Sequence, residues 1–188
     1  KNEALQIAAG IGYPVVLKLM ATGLLHKTEA GAVKLHVDSA EKLAREYDNL
    51  VEEAGTATRQ IEGVLVEKEV NTGTEVVVGF LRDPDLGPLV MFGSGGVLVE
   101  LLRDVSYRSL PAGADDMKSM VRDTLCYKLL QGFRNHPPAD VSSLIELMTE
   151  TAVVFLASPW MKELEFNPVV VLPEGQGVRV LDVMLSVS

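Results

Sequence analysis

Short runs of β-branched and other apolar residues recur along this chain, and several follow one another with only a turn between them. Such runs predict strands at residues 13–20, 31–37, 63–70, 74–83, 88–96, 161–172 and 178–187. Helices are predicted at residues 2–10, 40–54, 114–132 and 140–157, the last two from apolar residues spaced i, i+3 and i+4. Because hairpins are mixed with helices, without a regular strand–helix alternation, the order of elements predicts an α+β fold.

Local signals refine this prediction at three places. The first two strands are predicted to pair with each other. Ser39 precedes the second helix, where serine is a preferred N-cap. Residues 71–73, Asn-Thr-Gly, are a turn signal and predict a hairpin between the strands on either side of them.

The charge balance excludes some classes of partner. The chain has 17 Lys and Arg residues against 26 Asp and Glu residues, a formal net charge of -9, which disfavours a broad binding surface for nucleic acid or anionic lipid. A small anionic ligand stays compatible with this total, because a local cluster of cations matters more for its binding. With 188 residues, 47% of them hydrophobic, the chain can bury a core as one domain or as two small subdomains.

Cysteine usage and hydropathy indicate a cytoplasmic protein. The single cysteine, Cys126, excludes an internal disulfide framework, is typical of a reducing cytosol and is predicted to lie in the core. No apolar run reaches the roughly 18 residues of a membrane helix, and the start of the chain lacks the pattern of a signal peptide. Because the chain begins without Met, in what reads as a helix, we expect it to be part of a longer protein.

Two cationic positions could contact an anion. Lys18 lies near the end of an apolar strand, where an ammonium group is costly to bury unless it reaches solvent or an anion such as phosphate. His26 and Lys27 follow in a loop, where a histidine can act as nucleophile, base or metal ligand. The alternatives are a lysine that reaches solvent at a sheet edge and a loop histidine without a function. With 3 histidines in all, a His-based metal site is not expected.

Two further clusters could bind phosphate and metal. Gly-Ser-Gly-Gly at 93–96 would expose successive N–H groups to a phosphate, although a tight hairpin or bulge explains it equally well. Glu165 and Asn167 are predicted to share one face of a strand, and a closing hairpin through the Gly-rich turn at 173–177 would place Asp182 opposite them. Their oxygens are of the kind that holds Mg²⁺, and the alternative is a solvated strand face. We favour the metal site because Asp182 lies in an apolar strand, where an unpaired charge is penalised.

Three stretches that contain these residues resemble a known family. They are GYPVVLKLMATGLLHKTEAGAVKLHV, GVLVEKEVNTGTEVVVGFLRDPDLGPLVMFGSGGVLVELLRDVSYRSLP and ELEFNPVVVLPEGQGVRVLDVML. In this order they are similar to blocks of the ATP-grasp domain of ADP-forming acyl-CoA synthetases, such as ADP-forming acetate-CoA ligase, relatives of the succinyl-CoA synthetase β subunit. The resemblance covers almost the whole chain. It implies two α+β subdomains, 1–70 and 71–188, that clasp a nucleotide, with the N-terminal segment of the fold missing.

The resemblance implies which residues meet the cofactors, Mg²⁺ and ATP or ADP. The residues expected at the nucleotide are Lys18, Lys27, Glu67, Lys68, Glu69, Val70, Gly93, Gly95, Gly96 and Glu100. In this family the segment matched by residues 67–70 is the hinge between the subdomains, and its backbone reads the adenine edge. Asn167 and Asp182 match magnesium ligands, with Glu165 beside them where the family commonly has Asp.

His26 and Arg108 are the catalytic residues that the resemblance implies. In this family a histidine of a separate ligase part takes phosphate from an acyl phosphate, and the loop histidine matched by His26 has been implicated in handing it to ADP. Arg108 matches a basic position near the phosphates. One departure is Asn135, which stands where a family loop usually has Gly; Asn tolerates the left-handed torsions that such a glycine adopts.

The function implied is that of the nucleotide-binding part of an ADP-forming acyl-CoA synthetase. The CoA-binding and ligase domains would lie in the same or a partner chain, so this chain alone should not make an acyl-CoA. The acyl substrate, the choice of ATP or GTP, the direction of the reaction and the oligomeric state stay open. Two rival hypotheses are a regulatory or non-catalytic ATP-binding module of a protein-acetylating or related multidomain protein, and a structural interface domain.

Overall fold

The computed structural model describes residues 1–21, 31–56, 61–96, 104–134 and 137–188. The chain divides into two compact units, Lys1–Asn71 and Thr72–Ser188. Each unit contains one sheet, its own helices and its own hydrophobic core. The mixture of antiparallel strands and helices that the sequence predicts is present in both units.

The first unit is a three-stranded antiparallel sheet with two helices. Its elements are α1 (Asn2–Ile11), β1 (Val15–Ala21), β2 (Val33–Val37), α2 (Ala40–Thr56) and β3 (Ile61–Lys68). The strand order is β2-β1-β3, so the predicted pairing of the first two strands is confirmed. Ser39 caps α2 as predicted, because its Oγ accepts a hydrogen bond from the Lys42 backbone N–H at 3.3 Å.

The two faces of β1 have different surroundings. Val15, Leu17 and Leu19 pack into the core that α1 and α2 cover. Side chains alternate along a strand, so Lys18 points to the opposite face of the sheet. Because side chains alternate along β1, Lys18 lies on the sheet face that the helices do not cover.

The second unit is built on a larger antiparallel sheet. Its elements are β4 (Thr74–Asp83), β5 (Gly87–Ser94), β6 (Val105–Ser109), α3 (Ala114–Arg122), α4 (Tyr127–Leu130), α5 (Val141–Ala157), β7 (Met161–Val171), β8 (Val178–Val180) and β9 (Val183–Val187). The strand order is β6-β5-β4-β7-β8, and β9 also pairs with β7. Phe80 and Phe92 of the sheet pack with Met120 of α3 and with Met148 and Phe155 of α5 in the core of this unit.

The hairpin predicted across residues 71–73 is wrong. β3 pairs with β1 in the first unit, whereas β4 pairs with β5 and β7 in the second. Gly73 has φ 121°, and a Cβ atom there would lie 2.4 Å from Val170 Cγ1 and 2.7 Å from the Val171 oxygen. Gly73 is therefore needed for the close approach of the chain to β7 and does not form a hairpin turn.

Two predicted elements are interrupted in the structure. The helix predicted at 114–132 is divided, because α3 ends at Arg122 and α4 begins at Tyr127. At the break, the carboxylate of Asp104 accepts the backbone N–H groups of Leu125 at 2.8 Å and Cys126 at 2.9 Å. The last predicted strand is likewise divided into β8 and β9.

Cys126 lies in the core, as predicted, and is 3% exposed. Burial raises the pKa of its thiol, which disfavours the reactive thiolate. Across the parts of the chain that the structure describes, no helix combines the length and the apolar character needed to cross a membrane.

Arg82 closes the C-terminal end of α5. Its Nη2 donates to the backbone oxygens of Phe155 at 2.7 Å and Ser158 at 3.2 Å, and its Nε donates to that of Met161 at 2.9 Å. The guanidinium carbon also lies 4.7 Å from the centroid of the Phe155 ring. A cation at this end of a helix satisfies the last carbonyl groups and offsets the negative end of the helix dipole.

Replacing Arg82 with methionine should lower the free energy of unfolding by about 2 kcal/mol, because three carbonyl groups lose a charged donor while the aliphatic packing remains. Urea unfolding measures this change. Arg179→Met is the control, since the Arg179 guanidinium is exposed and bonds to the Val178 oxygen beside it; we expect a change below about 0.5 kcal/mol. Equal losses in the two variants would contradict the capping role.

Candidate functional site

The first unit contains a cation on the sheet face opposite its helices. Lys18 is 8% exposed, and its Nζ lies 2.5 Å from Oε2 of Glu67 on β3. The register pairs Val16 with Glu67 and Lys18 with Leu65, which puts the lysine and the glutamate on the same face as diagonal neighbours. An ion pair between a buried lysine and a partly exposed glutamate thus occupies the position where the sequence predicts a phosphate-binding lysine.

Two of the predicted hinge side chains bond within the first unit. Lys68 Nζ donates to the backbone oxygens of Gly12 at 2.8 Å and Tyr13 at 3.0 Å, just past the end of α1. Oε1 of Glu69 accepts the His36 backbone N–H at 3.1 Å and lies 2.6 Å from His36 Nδ1. The other oxygen, Oε2, is buried and has no hydrogen-bond partner among the described residues. Val70 follows β3 in the segment that leads to the second unit.

The glycines at the end of β5 allow close packing of the chain. A Cβ atom on Gly93 would lie 2.5 Å from the Asp104 oxygen, and one on Gly95 would lie 2.6 Å from the Val76 nitrogen. Real Cβ atoms do not approach backbone this closely, so both positions require glycine for packing alone. Gly96 has φ 61°, in the left-handed region that favours glycine.

A row of hydrogen bonds joins this glycine loop to β7. The Gly96 backbone N–H donates to Asn167 Oδ1 at 3.3 Å, and Asn167 Nδ2 donates to Glu165 Oε1 at 3.2 Å. The Asn167 backbone N–H donates to the Asp182 backbone oxygen at 3.2 Å, so Asp182 lies across from Asn167 between β8 and β9. The structure therefore brings Gly96, Glu165 and Asn167 together and places the Asp182 backbone beside Asn167, while Asp182 Oδ1 accepts a hydrogen bond from the Val183 backbone N–H at 3.0 Å.

Two carboxylates near this row were not predicted from the sequence. A Cβ atom on Gly96 would lie 2.6 Å from Glu75 Oε2, so the Glu75 carboxylate lies beside the loop. A lone acidic residue directly before the buried Val-Val-Val run was the available signal. The Ser94 hydroxyl donates a hydrogen bond to Asp104 Oδ2 at 3.2 Å, so Asp104 joins the glycine loop to the start of α4. No local pattern reveals Asp104, because its partners are distant in sequence.

Arg108 stands apart from this row. On β6 it pairs with Val90, and its guanidinium bonds to Asp123, to Ser119 Oγ at 3.4 Å and to Ser106 Oγ at 3.1 Å. Within the described residues, none of its hydrogen bonds reaches Gly96, Asn167 or Glu165. The basic residue predicted near the phosphates is engaged with α3 and its C-terminal end.

Four predicted positions lie outside the described residues, namely His26, Lys27, Glu100 and Asn135.

The oxygens along this row have the chemistry that Mg²⁺ prefers. Glu165 and Asp182 offer carboxylate oxygens and Asn167 an amide oxygen, all hard donors. The Asn167 oxygen accepts one N–H and has a second lone pair for a metal. Among the described residues, no group of three or more His, Cys, Asp and Glu side chains could hold a metal ion, so a metal here would depend on the amide oxygen.

Residues 1–187 match the family model of the ATP-grasp domain. The chain belongs to the ATP-grasp family. The expected fold and the resemblance noted from the sequence are thereby confirmed, and the mixed sheets and helices of both units are those of an ATP-grasp domain.

Relatives of this ATP-grasp domain include ADP-forming ligases. The chain is 40% identical over 178 residues to acetate–CoA ligase [ADP-forming] I of Archaeoglobus fulgidus, covering 94% of this chain and 26% of that protein. It is 36% identical over 184 residues to acetate–CoA ligase [ADP-forming] II subunit beta of Pyrococcus furiosus, covering 96% of this chain and 78% of that subunit. The chain therefore spans about a quarter of the A. fulgidus ligase and most of the P. furiosus subunit.

A solved structure of acetyl-coenzyme A synthetase 1 from Ca. Korarchaeum cryptofilum has a TM-score of 0.92 and 36% sequence identity to this ATP-grasp domain, covering 100% of this chain and 82% of that chain. That structure is a complex with coenzyme A, Ca-AMPCP and HgCl+. Another structure of that enzyme, with coenzyme A and Mg-AMPPCP, has its phosphohistidine segment pointing towards the nucleotide binding site. It has a TM-score of 0.84 and 35% sequence identity to this domain, covering 100% of this chain and 82% of that chain.

Proposed function

We propose that this ATP-grasp domain is the nucleotide-binding part of an ADP-forming acyl-CoA synthetase, and that it passes phosphate between a phosphohistidine and ADP or ATP. The observation that carries the proposal is the hydrogen-bonded row of Gly96, Asn167 and Glu165 beside Asp182, in a domain whose relatives are ADP-forming ligases. This row offers an N–H donor and metal-binding oxygens within one small region, as a magnesium–nucleotide complex requires.

Glu165, Asn167 and Asp182 would hold Mg²⁺, which when bound would neutralise negative charge on the transferred phosphate. The residues of the chain then have the task of positioning. Lys18 supplies a fixed positive charge for phosphate oxygens, and the glycine loop supplies backbone N–H groups. Holding the reacting groups in line in this way accounts for most of what a protein contributes to phosphoryl transfer.

Arg108 would contribute only after a local rearrangement. Its guanidinium forms an ion pair with the Asp123 carboxylate, and the Arg108 side chain is 30% exposed. A phosphate that reached Arg108 would have to replace this carboxylate as its anionic partner. We therefore place Arg108 second to Lys18 among the cations that serve the nucleotide.

The rest of the reaction would depend on parts outside this chain. A CoA-binding part and a ligase part that carries the relay histidine would belong to the same chain or to a partner chain, in a cytoplasmic enzyme. The A. fulgidus relative, of which this chain matches 26%, is long enough to contain such parts in one chain. The P. furiosus relative is instead a separate beta subunit.

Thermal unfolding with Mg²⁺ alone, with Mg-ADP and with Mg-ATP tests the proposed site. Nucleotide at about 100 times its dissociation constant should stabilise the chain by about 2.7 kcal/mol and raise the unfolding midpoint by a few degrees. Asp182→Ala should remove most of this rise, because the magnesium that accompanies the nucleotide loses a ligand.

Glu174→Ala is the matched control, since Glu174 is an exposed carboxylate in the turn between β7 and β8. This variant should keep the full rise. Absence of any rise in the unsubstituted chain would favour the structural interface domain. A rise that Asp182→Ala leaves intact would show that the cation is held elsewhere.

A further inference from the structure

Asp104 connects the glycine loop of residues 93–96 to the core of the second unit. Its carboxylate accepts the backbone N–H groups of Leu125 at 2.8 Å and Cys126 at 2.9 Å, and the Ser94 hydroxyl at 3.2 Å. The Ser94 backbone N–H also donates to the Asp104 backbone oxygen at 3.3 Å. Because Cys126 lies in the core and Ser94 is 4% exposed, water cannot easily replace these bonds.

The other side of the glycine loop is held by β4. The Gly95 backbone N–H donates to the Glu75 backbone oxygen at 3.0 Å. β5 lies between β6 and β4 in the sheet, so Ser94 and Gly95 are bonded towards opposite neighbours. These bonds fix the position of the next residue, Gly96, whose N–H donates to Asn167 Oδ1 at 3.3 Å.

The position of Gly96 in turn determines the orientation of the Asn167 side-chain amide. Its Oδ1 accepts the Gly96 N–H, and its Nδ2 donates to Glu165 Oε1 at 3.2 Å. Turning the amide end for end would place its NH2 group against the Gly96 N–H, a donor against a donor. A magnesium ion binds an amide oxygen and not an amide nitrogen. The glycine loop therefore selects the amide orientation that a metal requires.

We propose that Asp104 is a positioning residue for the magnesium–nucleotide complex. Through Ser94 it holds the glycine loop in place, and Gly96 then keeps the Asn167 amide oxygen available to the metal. This inference rests on the proposed function, because it presumes that Asn167 binds Mg²⁺. In this role Asp104 touches neither the metal nor the nucleotide and acts only through the loop.

Ser94→Ala breaks the link and leaves the Asp104 carboxylate with both of its backbone donors. We expect this variant to bind Mg-ADP about fivefold more weakly than the unsubstituted chain, measured by isothermal titration calorimetry. The Mg²⁺ concentration that gives half-saturation at fixed ADP should rise by a similar factor. Both proteins are compared at a temperature at which circular dichroism shows them folded, so a purely structural contact would leave both quantities unchanged.

Ser142→Ala is the matched control. The Ser142 hydroxyl donates to the buried Asp140 carboxylate at 2.7 Å, so this variant loses a serine–aspartate hydrogen bond of the same kind in the same unit. Among the described residues, Asp140 bonds to α5 and to Gly177 and not to the glycine loop. The control should lower the thermal midpoint and keep the affinity for Mg-ADP. Equal weakening in the two variants would overturn the proposal.

A double-mutant cycle tests the route through Ser94. Asp104→Asn should also weaken Mg-ADP binding, because an NH2 group takes the place of one acceptor oxygen. In that background Ser94→Ala should cause no further weakening. If the two losses add, the serine and the aspartate act independently and the proposal is overturned.

Failure of the inference and failure of the proposed function give different results. If the unsubstituted chain binds Mg-ADP and Ser94→Ala binds it equally well, the inference alone is wrong. If the unsubstituted chain binds no Mg-ADP, the proposed function is wrong and the inference fails with it.

A further measurement requires no nucleotide. In Ser94→Ala the Gly96 amide hydrogen should exchange with solvent about tenfold faster than in the unsubstituted chain, because its bond to Asn167 Oδ1 opens more often. Amide hydrogen exchange followed by NMR measures this rate, and Ser142→Ala should leave it unchanged. An unchanged rate for Gly96 in Ser94→Ala would show that Ser94 does not position the loop, which would overturn the inference by itself.

Discussion

Replacing Asp140 with alanine should lower the free energy of unfolding by about 3 kcal/mol at neutral pH. Asp140 is the N-cap of α5, where its Oδ1 accepts the Ser143 backbone N–H at 3.1 Å and the Ser142 hydroxyl at 2.7 Å. Its Oδ2 accepts the Gly177 backbone N–H at 2.9 Å and so ties the helix to the turn between β7 and β8. The residue is 4% exposed, so water cannot easily replace these bonds.

The loss should depend on pH in a defined direction. The Ser142 hydroxyl, followed by the backbone N–H groups of Ser143 and Gly177, holds the pKa of Asp140 far below the ordinary aspartate value of about 3.9. A depressed pKa contributes stability that is complete above the unfolded pKa and is lost as the pH falls towards the folded pKa. The advantage of the unsubstituted chain over Asp140→Ala should therefore shrink below about pH 5.

Urea unfolding of both proteins between neutral and acid pH measures this difference. Glu146→Gln serves as the control, because it removes a carboxylate from an exposed position of the same helix. Its effect should stay below about 0.5 kcal/mol. A difference between the unsubstituted chain and Asp140→Ala that stays constant down to the acid limit would contradict the role of the ionised carboxylate.

Replacing His26 with alanine should slow phosphoryl transfer to ADP by about 1,000-fold or more in the complete enzyme, if the loop histidine carries the phosphate as the family resemblance implies. The readout is a single turnover in which the phosphorylated enzyme is mixed with Mg-ADP and ATP formation is followed. Mg-ADP should still raise the thermal midpoint, because the substitution leaves Lys18 and the proposed magnesium ligands intact.

His136→Ala is the matched control, as it removes another histidine from a loop between predicted helices. It should transfer phosphate at the unsubstituted rate. Normal transfer by His26→Ala would show that phosphate reaches ADP without His26. A regulatory ATP-binding module would instead be favoured if the unsubstituted enzyme bound Mg-ADP but formed no ATP.

Some contacts of the candidate site could be predicted from the sequence, and others could not. Glu165 and Asn167 are two positions apart on one strand, so the alternation of side chains was enough to predict that they are neighbours. Asp182 was likewise expected opposite them from the closing hairpin, whereas their link to Gly96 needed the pairing of β4 with both β5 and β7. The nucleotide and phosphohistidine roles came from resemblance to a family, because spacing alone does not encode a reaction.

The ion partners of the two predicted phosphate-binding cations were hidden from the sequence. Lys18 could be recognised because it interrupts an apolar strand, but its partner Glu67 lies on β3, brought alongside by sheet register. Arg108 is engaged by Asp123 in the same way, through packing of β6 against the end of α3. Each contact joins residues that no local pattern relates.

The sequence by itself determined most of the strands and helices, the N-cap at Ser39 and the closing hairpin of β7 and β8. These features depend on hydrophobic periodicity, capping and turn residues, which act over only a few positions of the chain. Tertiary structure decided to which sheet each strand belongs. β3 and β4 are consecutive and similar in composition, yet they belong to different units. An apolar strand can pair with any suitable edge, so the choice depends on the packing of the whole unit and on close approaches such as that of Gly73 to β7.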